Sequence, residues 1–219
     1  MTIEMNHIVT CEGLCVASLG LMQKCYGRAF LPAVNRRMDI NGTLQRPPYW
    51  PEDFDSFVDG SQKSKGKDEV FATLMHEDGP NGRAYRYLGH TGIHRITWPD
   101  GIGSTGSMIV EATAQGKGIG TEAKLLLLYH AFEVLGLANV RSTVKAWNAK
   151  SLGHLIKCGY RIVGRYEKIL FHEGKLVDEI LLQVSPALWR PVWNQYQETK
   201  QLPKLTDEQR ELVKIETNT

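Results

Sequence analysis

The sequence predicts an α+β fold of the mixed α/β kind, with an antiparallel meander, a central βαβ unit and flanking helices. Three observations predict it. Short runs rich in β-branched and aromatic residues, separated by dense turn chemistry, recur over residues 70–110. A strong helical period fills 121–135, where Leu125, Leu128, Tyr129, Phe132 and Leu135 recur at three- and four-residue spacing, and strand-like Val140-Arg141-Ser142-Thr143-Val144 follows. Two late strand-like runs, 160–171 and 175–184, flank a turn at His172-Glu173-Gly174.

Taken in order, residues 14–38 read as one or two short helices broken by Gly20, Gly27 and Pro32. Residues 41–68 read as loop, with a helical turn over 53–57 and a polar, solvated stretch over 59–67. A strand follows at 70–75, then turn residues at 77–82. The next strand runs through 85–89 and, bent at Gly89 and Gly92, on to 93–98. Pro99-Asp100-Gly101 turns the chain into a short apolar strand at 107–110. Gly136 stands where a helix-ending glycine belongs. A short helix is expected at 151–157, and the chain after Pro191 reads as a polar tail with a helix over 206–215.

Composition narrows the function classes. The chain has 219 residues, 42% hydrophobic and 23% charged, close to the soluble globular average. Lys plus Arg number 26 against 24 Asp plus Glu, so no basic footprint for nucleic acid or an acidic membrane surface is expected. Leu125–Leu128 is an apolar run far short of the ~20 residues of a membrane span. Residues 1–7 lack the basic-then-apolar pattern of a signal peptide. Cys11, Cys15, Cys25 and Cys158 make no Cys-x-x-Cys pair. A cytoplasmic protein with reduced thiols and no metal is the expectation.

Two glycine-rich segments compete for a functional role. Gly101-Ile102-Gly103-Ser104-Thr105-Gly106 satisfies G-x-G-x-x-G, but Pro99-Asp100 precedes it and a strand follows, so it reads as a turn. Gln115-Gly116-Lys117-Gly118-Ile119-Gly120 has the right context, with a strand before it and a strong helix beginning near Thr121. Glycines there permit close backbone approach, and amides joined to the positive end of a helix suit a diphosphate. Lys117 adds charge without the Walker spacing. Read from its residues alone, the segment is either an anion site or a turn that binds nothing.

At this point the chain resembles the GCN5-related N-acetyltransferase (GNAT) superfamily, whose acetyl-CoA motif is Q/R-x-x-G-x-G/A. Gln115, Gly118 and Gly120 match its fixed positions. The continuation through Thr121-Glu122-Ala123 is similar to the ribosomal-protein N-acetyltransferase-like (RimJ/RimL-type) branch. So is the downstream order: Tyr129-His130-Ala131-Phe132-Glu133, Leu135-Gly136-Leu137, Asn148-Ala149-Lys150-Ser151, Cys158-Gly159-Tyr160, Gly164-Arg165, and Gly174 followed by Asp178. The resemblance implies a single domain over 1–190, with 70–184 as the matching core, 1–69 as a divergent helical and loop segment on the acceptor side, and 191–219 as the tail.

The resemblance also implies a mixed sheet splayed beside the strand that ends near Val110, with acetyl-CoA as cofactor. Its pantetheine arm would pair with Ile109 and Val110. Gln115, Gly116, Lys117, Gly118, Ile119, Gly120 and Thr121 would hold the pyrophosphate, and Asn148 and Ser151 would reach the cofactor from the next strand-to-helix turn. Asn and Ser at a helix start are equally ordinary caps. The implied activity is acetyl transfer to a primary amine by direct attack in a ternary complex.

Such a transfer needs an acceptor for the amine's proton and a donor to the leaving thiolate. Where many superfamily members carry a Tyr acid this chain has Leu155, so Ser151 or a water is expected near the thiolate. Glu111, at the strand end, is the candidate base, and a solvated strand-end carboxylate is the plain alternative. His90 and His94 share a strand face, and His76 and Glu77 are further candidates; no third ligand turns them into a zinc site. Acceptors open at this stage are a protein N-terminus, a polyamine, an amino sugar or a small amino metabolite. Tyr26, Tyr49, Trp50, Asp53 and Asp55 are suited to an amine-bearing molecule or to packing and loop charge. A non-catalytic acyl-CoA-binding module and a phosphate- or nucleotide-binding domain stand as alternatives. Trp189, Trp193 and Tyr196 suit a homodimer contact or packing on the domain's own core.

Overall fold

The computed structural model describes residues 9–36, 49–64, 66–80 and 82–217. Residues 1–7, 37–38, 41–48, 65 and 81, on which parts of the readings above fall, lie outside the described residues. The fold is mixed α/β. Its strands are β1 (Val9–Glu12), β2 (Ala17–Leu21), β3 (Glu69–Gly79), β4 (Gly82–Thr97), β5 (Ile102–Ile109), β6 (Asn139–Lys145), β7 (Arg161–His172) and β8 (Lys175–Val184). They follow the order β1-β2-β3-β4-β5-β6-β8-β7 in a mixed sheet. Helices are α1 (Gly27–Asn35), α2 (Pro51–Lys63), α3 (Ile119–Tyr129), α4 (Ala149–Lys157), α5 (Pro186–Thr199) and α6 (Asp207–Thr217). The chain forms two compact units, the first running to His94 and taking in Gly106–Leu127, the second comprising Arg95–Thr105 and Leu128–Thr219.

In the first unit, β3 and β4 pair antiparallel as the expected meander requires, and β1 and β2, which were not expected, extend the antiparallel pairing on the side of β3. The helical reading of 14–38 is corrected: residues 17–21 are strand β2, and only Gly27–Asn35 is α-helix, with Pro32 inside it rather than at its end. The reason is burial. Ala17, Ser18, Leu19 and Gly20 are all buried, because β2 lies between β1 and β3 with both faces covered. A strand buried on both faces loses the alternation that identifies one.

The loop reading of 41–68 is corrected as well, since α2 runs from Pro51 to Lys63 and takes in residues 59–63. Pro51 occupies the first helical position, and the Asp53 carboxylate accepts the Trp50 N–H at 2.9 Å. The helix buries only Phe54 and Val58, with Phe57 partly covered, against Tyr26, Phe30, Val34, Leu74 and Tyr87. Fully burying each such side chain is worth about 1.5–3 kcal/mol, enough to hold a helix whose other face is wholly polar.

Helix α3 begins two residues before its expected start and is buried on all sides: Ile119, Ala123 and Leu125 to Leu128 are each at most 2% exposed. A π-helical turn, His130–Val134, extends it, and Gly136 follows at φ +68°.

In the second unit, β5 and β6 run parallel through the pairs Ile102↔Asn139, Gly103↔Val140 and Ser104↔Arg141, as the βαβ reading requires. The late hairpin forms as expected, with β7 antiparallel to β8. Arg165 bonds Asp178 at 2.9 Å and reaches Glu216 of α6. The polar reading of the chain after Pro191 is corrected in part, because α5 starts at Pro186 and carries an aromatic stripe. Trp189 and Tyr196 are at most 1% exposed, Trp189 packs on Phe132, and Trp193 stacks on Tyr129 at 5.1 Å. These aromatics pack within their own unit. Among the described residues, no helix is long and apolar enough to cross a membrane.

Candidate functional site

The first unit brings the strand end and the glycine segment together by chain continuity. Val110 is buried and its N–H donates to Leu88 O of β4 at 2.9 Å. A 3-10 turn, Ala112–Ala114, then leads to Gln115. Gly116 and Gly118 adopt φ of +77° and +85°, a region that L side chains enter only with strain. A Cβ on Gly116 would meet nothing within 4 Å, so its glycine serves conformation rather than space. Gln115, Gly116 and Lys117 are exposed, whereas the Ile119 side chain is buried against Ala17, Leu88 and Ala114. Ile119 therefore anchors the loop by its side chain and faces outward only through its backbone. The loop enters α3 at its N-terminus, where the helix dipole is positive.

One functional residue escaped the sequence reading. Glu122, fully buried in the first turn of α3, accepts the backbone N–H groups of Cys15 (2.7 Å), Val16 (2.6 Å) and Ala17 (2.7 Å). Its own N–H bonds Gly118 O at 3.0 Å. A carboxylate is thus clasped by the entry to β2, and it ties the helix start, with the loop before it, to the sheet. Gly13 makes room: a Cβ there would lie 2.1 Å from Ala17 O and 2.5 Å from Glu122 Oε1. An acid in the first turn of a helix ordinarily signals only favourable dipole chemistry. The overlooked signal is that Leu125 to Leu128 leave the helix no solvent-facing side at its centre, so an acid one turn earlier requires a buried partner.

Glu111 is engaged rather than open. Arg86 donates to it at 2.5 Å and Thr113 Oγ1 at 2.6 Å. The Arg86 hydrogen bond, followed by that of Thr113, holds its carboxyl below the usual range, which weakens it as a proton acceptor at neutral pH. His76 is buried and shares a 2.8 Å hydrogen bond with Ser18. His94 pairs with Asp68 at 3.4 Å. His90 packs on Phe57 (5.0 Å) and Phe30 (5.7 Å), and burial, with a smaller contribution from His94, pushes its imidazole down to about 4. Among the described residues, no three His, Cys, Asp or Glu side chains assemble as a metal site would need.

In the second unit Asn148 caps α4: its Oδ1 accepts the Ser151 N–H at 3.0 Å, the bond expected of a capping Asn. Ser151 is half-buried, and Leu155 is buried in the core. Preceding the cap, Trp147 stacks flat on His172 at 3.9 Å, with Lys145 over the indole at 5.3 Å. Burial lowers the Lys145 amine.

Comparison with known proteins gives a consistent picture. The model of the acetyltransferase (GNAT) domain family matches residues 30–161, beginning inside α1, well before residue 70. No curated protein matches the sequence. Among solved structures the chain is similar to spermidine N-acetyltransferase from Vibrio cholerae in complex with CoA and spermine (19% identity, TM-score 0.64, covering 80% of this chain and 98% of that one). It is similar to Mycobacterium smegmatis RimJ in complex with CoA-disulfide (17%, TM-score 0.68, 91% and 95%). It also resembles a GNAT-family acetyltransferase from Bacillus anthracis (17%, TM-score 0.65, 82% and 98%).

Proposed function

Because this chain belongs to the GNAT acetyltransferase family, we propose that it moves the acetyl group of acetyl-CoA onto a primary amine by direct attack in a ternary complex. The observation that carries the reading is the loop from Gln115 to Gly120. It lies within the matched segment, has glycines at positive φ, and opens to solvent at the N-terminus of α3. Two of the similar structures were determined with CoA or CoA-disulfide, which supports a CoA thioester as donor.

Acetyl-CoA supplies the activated thioester. Backbone amides of Gly116, Gly118, Ile119, Gly120 and Thr121 hold its diphosphate, Lys117 adds an exposed positive charge, and Gln115 sits at the loop's entrance. Ile109 and Val110 offer strand backbone to the pantetheine amides. Since the Val110 N–H already serves β4, that pairing uses other backbone groups of the strand. Ser151 donates a hydrogen bond toward the leaving sulfur, and Asn148 positions it through the α4 cap. Glu111, kept ionised by Arg86, takes the amine's proton through water rather than by direct abstraction. The four cysteines form no disulfide among the described residues, which suits a reducing cytoplasm.

Thiol release from acetyl-CoA, measured across a peptide N-terminus, a polyamine, an amino sugar and small amino metabolites, tests the reading. Turnover of at least one amine is expected. The engagement of Glu111 favours one second reading, a non-catalytic acyl-CoA-binding module. Tight acetyl-CoA binding with no thiol release from any amine would select it.

A further inference from the structure

A charged cluster borders the glycine loop in the first unit. Arg86 of β4 pairs at 2.5 Å with Glu111, just beyond the end of β5, and Thr113 of the next turn donates to the other carboxylate oxygen at 2.6 Å. Lys117, exposed within the loop, acts on the same carboxylate. The sheet sets Arg86 beside the loop's anchor. Arg86 lies opposite Met75 in the register of β3 and β4, and residues directly opposite share a face of the sheet. Met75 packs on the cluster of Ala17, Leu88, Ala114 and Ile119. Ala114 stands just before the loop and Ile119 anchors it, so Arg86 occupies the sheet face to which the loop is fastened.

The cluster is poorly explained by stability alone. An ion pair this exposed contributes little to folding. Its charges do not cancel, because Arg86 and Lys117 outweigh Glu111 and leave a positive rim beside the positive end of α3. Nor is the guanidinium saturated. Of its N–H donors, one serves Glu111, and another rests on the Met75 sulfur at 3.8 Å, a weak acceptor. A phosphate oxygen in place of that sulfur would make a charge-assisted hydrogen bond, for which a guanidinium fork is well shaped.

We propose that Arg86 is a phosphate ligand of the bound cofactor. Glu111 holds its guanidinium at the flank of the loop, and Arg86 and Lys117 together pair with a phosphate of acetyl-CoA that the loop's amides bring alongside. The inference rests on the acetyl-transfer reading. Toward the cofactor Glu111 is a positioning residue: it fixes one edge of the guanidinium and leaves the remaining donors to the anion.

Calorimetric titration of acetyl-CoA into wild type, Arg86→Gln, Arg86→Lys and Glu111→Gln tests it. Arg86→Gln should weaken binding about tenfold or more, the scale of a lost hydrogen bond to a charged group, while its urea midpoint stays close to that of wild type. Arg86→Lys keeps the charge without the planar fork and should recover part of the loss. Wild-type affinity should fall more steeply with added salt than that of Arg86→Gln. Glu111→Gln removes a negative charge near the anion and should bind at least as tightly as wild type. Acetyl-dephospho-CoA identifies the phosphate: an Arg86→Gln penalty that vanishes with it assigns the ribose phosphate, and one that persists assigns the diphosphate. Affinity of Arg86→Gln within about twofold of wild type overturns the proposal. Equal losses in Arg86→Gln and Glu111→Gln overturn it too, since a purely structural pair would behave so. Failure of wild type to bind acetyl-CoA overturns the transferase reading and this proposal with it.

Discussion

The N-termini of α3 and α4 are built in opposite ways. Helix α4 is capped by its own sequence, with the Asn148 side chain accepting the Ser151 amide. Helix α3 is entered through Gly116, Lys117 and Gly118, and neither glycine has a side chain with which to cap it. The acid in its first turn, Glu122, is turned away to clasp three amides of the β2 entry. A side-chain cap satisfies one of a helix's leading amides, whereas a glycine at that position supplies no such acceptor, which suits an anion at the helix's positive end. Under the proposed transferase reading, the start of α4 serves stability and the start of α3 serves binding.

Breaking the Glu122 clasp should give the largest effect. Glu122→Ala leaves three buried amides without their acceptor and should cost about 3–5 kcal/mol of stability, read as a lowered denaturation midpoint. Gln at this position keeps the shape and should retain part of that stability. A midpoint equal to wild type in Glu122→Ala would show that the clasp contributes nothing. Next comes the cap of α4: Asn148→Ala should cost about 1 kcal/mol, visible in urea unfolding. If Asn148 only caps, acetyl-CoA affinity will stay constant, and a several-fold loss would instead place it against the cofactor.

The smallest effect belongs to Glu111. Its carboxyl is depressed in the folded state, so the stability it adds is present above the ordinary carboxylate pKa and lost as pH falls through the lower folded value. Because the pair with Arg86 is partly exposed, with side chains 50% and 34% accessible, Glu111→Gln should change stability at pH 7 by only about 0.2–1 kcal/mol. The variant's stability should converge with wild type in acid. A constant difference down to strongly acidic pH would contradict the assigned pairing.

What the sequence revealed depended on how each element meets solvent. The one-sided hairpin β7–β8, the apolar helix α3 and the long strand β4 carry periods that survive in a single sequence. Strand β2 does not, because its two covered faces erase alternation. Helix α2 was obscured by its polar majority, although Pro51, Asp53 and the Phe54-x-x-Phe57-Val58 spacing mark its start and its buried side. In α5 the stripe of Trp189, Trp193 and Tyr196 has helical spacing, but Pro191 suggested a break that the helix accommodates. At the site, the glycine loop was legible because it is one contiguous motif. Glu122 was not, since its partners lie 105–107 residues away.

Calorimetric titration of acetyl-CoA into wild type and Gly118→Val, with ATP as control ligand, tests the central claim most directly. Valine cannot adopt the φ of +85° seen at Gly118 without about 1–3 kcal/mol of strain. The account predicts acetyl-CoA binding by wild type, a roughly 10–100-fold loss in the variant with its fold intact, and no comparable binding of ATP. Equal acetyl-CoA affinity in both proteins, or binding of ATP but not acetyl-CoA, would contradict it.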